Sequence, residues 1–339
     1  MINLFTENFL QLIIEIEFII KEREGGEIVR IAIIGAGAMG CRYGASLQKA
    51  GAEVWLYDVW KEHINKINEC GLTIHDGKKT ENIKVNAASE IEKIPKPDVV
   101  MIFTKSIHTE DALVNALRIM DNKVIVLTLQ NGIGNIETVR KYINNENIIA
   151  GTTNYASDLI GPGEIEAKGS GLTKMMPLGE YARSAAVEIN DLLNNGGIIT
   201  KLGNDIMVDV WEKVAFNVAL NTLTALTFLT VSDLGKTPEG FEMAKTLASE
   251  VIAVANKIGI QASTDKVHHT IESVFNPEMS GDHKTSLLQD RLSKKKTEIE
   301  AICGSVIAEA EKNDMKVPHI ETVYKLIKII EKNYNNQLI

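Results

Sequence analysis

A short run of mostly β-branched residues, Ile31 to Ile34, ends in Gly35-Ala36-Gly37-Ala38-Met39-Gly40 and passes directly into a helical pattern. Few folds accept that order of events. The spacing G-x-G-x-x-G lets Gly35 make a tight turn, Gly37 leave the backbone open to a pyrophosphate, and Gly40 bring the helix close to the sheet. The amides of the helix start, Ala38 and Met39 included, then face the phosphates. A second apolar run, "AEVWLY", ends at Asp58, eighteen residues after Gly40. A carboxylate there can accept hydrogen bonds from an adenosine ribose and would repel a 2'-phosphate, so Asp58 selects NAD(H) over NADP(H). The alternative is local: Asp58 caps a helix beginning near Trp60.

The pattern repeats downstream. Apolar runs in "PDVVMIFTK" and "KVIVLTLQNG" alternate with helical segments, which predicts βαβ units around a parallel sheet with helices on both faces. "GLTIHDGKKTENIKVNA" reads as a hairpin turning at Asp76-Gly77. From Asn204 onward strand signals fade, and apolar residues recur at three- and four-residue spacing. The expected architecture is therefore α/β: a Rossmann-type doubly wound parallel sheet over residues 29–203, followed by an all-helical domain over 204–339.

Residues 1–28 stand apart. "NFLQLIIEIEFIIKER" is interrupted by acids, lacks a preceding basic region and is too short to span a bilayer. Gly25-Gly26-Glu27 can be encoded as a ribosome-binding sequence just before a GTG start at Val29, so the native chain is expected to begin there. Mass spectrometry of natively expressed protein decides between that and an amphipathic arm packed on the body or on a partner.

Composition narrows the partners. The chain has 339 residues, 45% hydrophobic and 24% charged, enough for two domains and a large core. A net charge of −9 with scattered basic residues excludes a nucleic-acid footprint and favours small-molecule partners. Cys41, Cys70 and Cys303 show neither metal-ligand nor CxxC spacing, so unpaired thiols, no metal and a cytoplasmic location are expected.

Two clusters in the helical half carry chemistry. In "WEKVAFNVALNTLTAL", Lys213, Asn217 and Asn221 recur every four residues and drift only about 40° per step, so they form one stripe on an otherwise apolar helix. Such polar groups must be satisfied or functional, and a ligand-lined cleft suits them better than a solvent-facing edge. In "HKTSLLQDRLSKKKTEIEAICG", Ser286, Asp290 and Glu298 share about a third of the circumference if one helix runs unbroken through them. The local alternatives are an N-cap role for Ser286 and an ion pair between Asp290 and a lysine of the same helix. Lys294 to Lys296 read as a solvated face.

On "GAGAMG", on Thr104-Lys105, on "QNGIG" with Asn131, on "WEKVAFNVALN" and on "SLLQD" followed by "TEIEAICG", the chain from Val29 to about Tyr334 resembles the ketopantoate reductase family. That family also contains NAD-dependent D-2-hydroxyacid dehydrogenases of the D-mandelate type. The resemblance implies that Lys213 is the proton donor and that Asn131 lies by the nicotinamide and the reacting carbonyl. It implies that Asn217, Asn221, Ser286 and Asp290 bind substrate, that Lys105 lies at the cofactor, and that Glu298 supports both the lysine and the substrate. It also implies a D product and a homodimer. The departure is Asp58, since NADPH users of the family place a basic residue there. Three functions follow in order: ketopantoate reduction; NAD-dependent D-2-hydroxyacid dehydrogenation of branched or aromatic substrates; and nucleotide sensing without turnover, which the intact Lys213, Asn131 and Glu298 oppose.

Overall fold

The computed structural model describes residues 28–276 and 284–336, so the expectations for the N-terminal extension lie almost wholly outside the described residues. The chain alternates strands and helices from β1 (Arg30–Ile34) through α1 (Ala38–Lys49), β2 (Glu53–Tyr57) and α2 (Lys61–Cys70). It continues through β3 (Leu72–His75), β4 (Thr80–Ile83), β5 (Asn86–Ala88), β6 (Val99–Ile102), α3 (Thr109–Ala116), β7 (Ile125–Thr128) and α4 (Asn135–Arg140). Then come β8 (Ile148–Thr153), β9 (Ala156–Gly161), β10 (Glu164–Lys168), β11 (Thr173–Pro177), α5 (Arg183–Asn195) and β12 (Thr200–Leu202).

The main sheet has the order β12-β11-β8-β7-β6-β1-β2-β5. From β1 the chain builds outward to β2 and β5, then crosses back to β6, β7 and β8 on the other side. This reversal opens a crevice at the carboxyl ends of β1 and β6, the usual place for a ligand in a doubly wound sheet. The strands flanking it are buried on both faces, which is why their sequences are continuous apolar runs.

Two features differ from the expected parallel sheet. β11 runs antiparallel to β8 and carries β12 parallel to itself. The chain goes from β8 to β11 through strands alone, and without a crossover helix it returns in the opposite direction. Those strands also build a second sheet, ordered β4-β3-β10-β9, in which β10 pairs with the hairpin that turns at Asp76-Gly77.

After β12 the described residues form helices only: α6 (Ile206–Thr227), α7 (Val231–Gly235), α8 (Pro238–Lys257), α9 (Thr264–Phe275), α10 (Ser286–Leu292), a π-helical turn (Glu300–Gly304), α11 (Ser305–Lys312) and α12 (Pro318–Lys332). α6 is the axis of this half, with Trp211, Val214, Ala215, Val218 and Ala219 all buried. Asp205 starts it by accepting from the amides of Met207 and Val208. Phe228, at φ 60°, ends it, and the Arg291 guanidinium donates to the free carbonyls of Ala225 and Leu226. Ile136 and Ala150 from the sheet half lie in the same apolar cluster as α6, and Lys174 Nζ meets Asp209 Oδ1 at 2.5 Å. The two halves therefore share a core, with the crevice at their seam. Among the described residues the three cysteines are free, no cluster of acid, His and Cys side chains could hold a metal, and no helix is long and apolar enough to cross a membrane.

Candidate active site

The glycine turn is closed at both ends and open in the middle. Gly35 has φ 98°, and a Cβ on it would lie 2.7 Å from the Thr104 amide nitrogen. A Cβ on Gly40 would lie 2.1 Å from the Gly35 carbonyl oxygen, whereas one on Gly37 would meet nothing within 4 Å. Gly37 N-caps α1 without any side-chain cap, so the first amides, including those of Ala38 and Met39, are left to a ligand. Beside this cradle the Thr104 hydroxyl is buried with no hydrogen-bond partner among the described residues. A phosphate-bearing ligand would satisfy both, so the residues present fit a dinucleotide.

Asp58 stands at the rim of the same turn, because Gly35 N and Ala36 N both donate to Tyr57 O at 2.9 Å. Its Oδ1 accepts from the Trp60 amide at 3.0 Å, while its Oδ2 takes no hydrogen bond among the described residues. The local alternative is thus present in part: one oxygen holds the start of α2, and the other is free to accept elsewhere.

Lys213, Asn217 and Asn221 do form one stripe, and it faces inward. Asn217 is 9% exposed and Asn221 6% exposed. Asn221 Nδ2 donates to Ser286 Oγ at 3.4 Å. Lys213 Nζ donates to the carbonyl of Thr153 at the end of β8, tying α6 to the sheet. Burial of its ammonium end pulls the Lys213 pKa down to about 8, against the raising effect of the Glu298 carboxylate.

The expectation of one unbroken helix through Ser286, Asp290 and Glu298 is incorrect. α10 ends at Leu292, and Lys294 adopts φ 52°, a left-handed turn. Glu298 sits beyond that turn on a separate segment, so the three residues do not share one helical face, and each meets a different partner: Ser286 meets Asn221, Asp290 meets Lys105 and Glu298 meets Ser106. Thr285, not Ser286, is the N-cap of α10. Asp290 pairs with no lysine of its own helix: its Oδ1 meets Lys105 Nζ at 2.7 Å, across the seam. This places the residue expected at the cofactor and one expected at the substrate in a single ion pair. Lys294 to Lys296 are exposed.

Glu298 also reaches across the seam. Its Oε1 accepts from Ser106 N at 2.9 Å and lies 3.0 Å from Ser106 Oγ. Ser106 Oγ is 3.1 Å from the Asn131 carbonyl oxygen, which accepts in addition from Asn135 Nδ2 at 2.8 Å. Gly132, at φ 91°, lets the Asn131 loop approach the π-helical turn, since a Cβ there would fall 2.4 Å from Ala301 O. No hydrogen bond engages the Asn131 side chain among the described residues, and its amide remains available.

Ser106, Asn135 and the Thr153 carbonyl belong to this network without having been singled out in the sequence. A serine after Thr-Lys has no distinguishing context, and a backbone carbonyl leaves no residue signature. Asn135 had a weak signal in its four-residue spacing from Asn131.

The site is therefore a seam in which a lysine of lowered pKa, a carboxylate, and the Asn217 and Asn221 amides stand opposite a dinucleotide cradle. The comparisons agree with that geometry. "Ketopantoate reductase PanE/ApbA" matches residues 31–180, and "Ketopantoate reductase PanE/ApbA C terminal" matches residues 205–331. The 2-dehydropantoate 2-reductase of Lactococcus lactis is 32% identical over 302 residues, which are 88% of this chain and 97% of that protein. The ternary structure of D-mandelate dehydrogenase with NADH and anilino(oxo)acetate superposes with a TM-score of 0.86 at 31% identity, covering 91% of this chain and 100% of that one. A family ketopantoate reductase from Ralstonia eutropha gives 0.82 at 27% identity, over 91% and 100%. With both halves matched in order and most of each relative's length covered, this chain belongs to the ketopantoate reductase family.

Proposed function

We propose that the protein reduces a 2-oxo acid, ketopantoate, to the D-alcohol pantoate, with NADH as the preferred reductant and Lys213 as the proton donor. The observation that carries this reading is Lys213: a lysine whose pKa is lowered to about 8 on an apolar helix, within the field of Glu298 and facing the dinucleotide half. A bound reduced nicotinamide supplies the hydride that adds to the carbonyl carbon. Lys213 Nζ delivers its proton to the oxygen on which negative charge develops, becomes a neutral amine, and is reprotonated from water. The Asn131 amide donates to the same oxygen, and Asn217, Asn221 and Ser286 hold the substrate carboxylate and hydroxyl. Glu298 raises the lysine pKa, and at about 8 most of the lysine population is protonated at neutral pH.

The sign of the pH dependence follows. Reduction needs the ammonium and falls as pH rises through about 8, whereas oxidation of the alcohol needs the neutral amine and rises through the same range. Glu298→Gln removes the charge that raises the lysine pKa, so the limb for reduction should move to lower pH. A limb unchanged in pH–rate profiles would take Glu298 out of this role.

The glycine turn makes a separable pair of expectations. Gly40→Ala places a methyl against Gly35 O and is expected to destabilise the fold by about 1–3 kcal/mol as well as to weaken NADH binding. Gly37→Ala has room within the protein, so it should weaken NADH binding with the melting temperature unchanged. Thermal melts and NADH titrations of both variants check this.

A second reading, an NAD-dependent D-2-hydroxyacid dehydrogenase, is favoured by Asp58 and by the similarity to D-mandelate dehydrogenase. Initial rates of NADH and NADPH oxidation with ketopantoate, 2-oxoisocaproate and phenylglyoxylate side by side separate the two. Preference for ketopantoate supports the first reading. Preference for the other acids with NADH replaces it with the second.

A further inference from the structure

The way Glu298 is held suggests a residue that sets the acidity of the site without touching substrate. We infer that Ser106 is a positioning residue that brackets Glu298 Oε1 with its amide and hydroxyl and so keeps the carboxylate from closing into an ion pair with Lys213. The inference rests on the proposed role of Lys213 as the proton donor.

The geometry is specific to this bracket. Ser106 N has Glu298 Oε1 as its acceptor at 2.9 Å, and Ser106 Oγ is 3.0 Å from the same oxygen. The serine is itself braced: Asn135 Nδ2 donates to its hydroxyl at 3.3 Å, Thr109 Oγ1 donates to Asn135 Oδ1 at 3.1 Å, and Gln130 Nε2 donates to Thr109 Oγ1 at 2.8 Å. Glu298 is further fixed from its own side, because the preceding Thr297 donates through N and Oγ1 to Glu331 of α12 at 2.8 and 2.7 Å. Lys213 Nζ meanwhile donates to Thr153 O and forms no ion pair with Glu298. The carboxylate therefore acts on the lysine through its field alone. A direct bond would hold the ammonium more tightly and raise its pKa.

Other charges near the two groups are committed elsewhere. On α6, Asp209 is paired with Lys174 and Glu212 with Lys266. Around Glu298, Lys105 is paired with Asp290, and Glu300 is paired with Lys328 and accepts from Tyr324 Oη. Lys296 and His108 are exposed. Glu298 is the charge that can move toward Lys213 when the bracket is released.

Three substitutions grade that release. Ser106→Thr keeps both donors, and Ser106→Ala keeps only the amide. Ser106→Pro removes both, at a position that accepts proline: Ser106 is the first residue of a 3₁₀ turn, and Lys105 before it is extended at φ −60°, ψ 147°. The primary readout is the titration of Lys213 in dinucleotide-free protein, from the pH dependence of its acetylation by limiting acetic anhydride, quantified by mass spectrometry against the other lysines. The secondary readout is the alkaline limb of the reduction rate.

The expected result is an upward shift of about one pH unit in both readouts for Ser106→Pro, a smaller upward shift for Ser106→Ala, and wild-type values for Ser106→Thr. A Lys213 titration that stays in place or moves down in a folded proline variant overturns the inference. If that variant does not fold, the alanine–threonine comparison decides in the same way, since a purely structural serine would lower activity without moving the titration. Labelling requires no substrate, so a wild-type protein inactive on every 2-oxo acid would overturn the proposed function while the labelling still decides the role of Ser106.

Discussion

Lys213→Ala is expected to lower the turnover of 2-oxo acid reduction by roughly a hundred- to ten-thousand-fold, the usual contribution of a positioned general acid, while NADH affinity stays within about twofold. The lysine reaches the site from α6, in the helical half, and its Nζ bonds to Thr153 O and not to the glycine turn or Asp58. On the proposed role, removing it takes away the proton and the positive charge beside the reacting oxygen and leaves the dinucleotide cradle intact. Truncation also frees the Thr153 carbonyl, which closes the end of β8, so a modest loss of stability accompanies the kinetic effect. Lys213→Arg is the sharper control. It retains the cation with a pKa far above that of the native lysine, so a charge at the oxygen without an available proton should recover little activity. Stopped-flow measurement of the hydride step together with an NADH titration separates the two effects. An unchanged turnover in Lys213→Ala would remove the lysine from its role.

Asp58→Arg should change the ratio of kcat/KM for NADPH over NADH by about a hundredfold, equivalent to about 2.7 kcal/mol. The carboxylate stands at the end of β2, where the bonds from Gly35 N and Ala36 N to Tyr57 O bring it beside the turn. Its Oδ2 can accept from ribose hydroxyls, and its charge disfavours a 2'-phosphate; a guanidinium reverses the sign and offers paired donors to that phosphate. Because Oδ1 also holds the Trp60 amide, the arginine variant disturbs the start of α2. Asp58→Asn keeps an oxygen for that amide while dropping the charge, so it should weaken discrimination without loosening the loop. If the ratio is the same in wild type and Asp58→Arg, the carboxylate selects nothing and its bond to Trp60 is its whole purpose.

Much of this molecule was legible in the chain because short-range rules governed it. The turn from Gly35 to Gly40, the helix of Lys213, Asn217 and Asn221, and the hairpin at Asp76-Gly77 each depend on residues within a few positions of one another, where backbone sterics and helical period leave one solution. The change from strands to helices after Leu202 was visible for the same reason: burial on a sheet and burial on a helix impose different apolar periods. The π-helical turn was not visible because it packs on α6 and α12. The left-handed Lys294 was not visible because it closes α10, with Lys294 N donating to Arg291 O and Lys295 N to Asp290 O, at a cap position where glycine or asparagine is the usual signal. The reading of Ser286, Asp290 and Glu298 as one helical face failed at that point.

By itself, the sequence determined the dinucleotide-type turn, the acidic residue at its rim, the family, and the stripe that carries the lysine. Tertiary structure alone decided which groups meet across the seam: Lys105 with Asp290, Ser106 with Glu298, and Lys213 with the Thr153 carbonyl. Those partners lie from 60 to 192 residues apart, so no local periodicity relates them. Their pairing, and with it the lowered pKa of Lys213, exists only once the two halves share a core and water is removed from the seam.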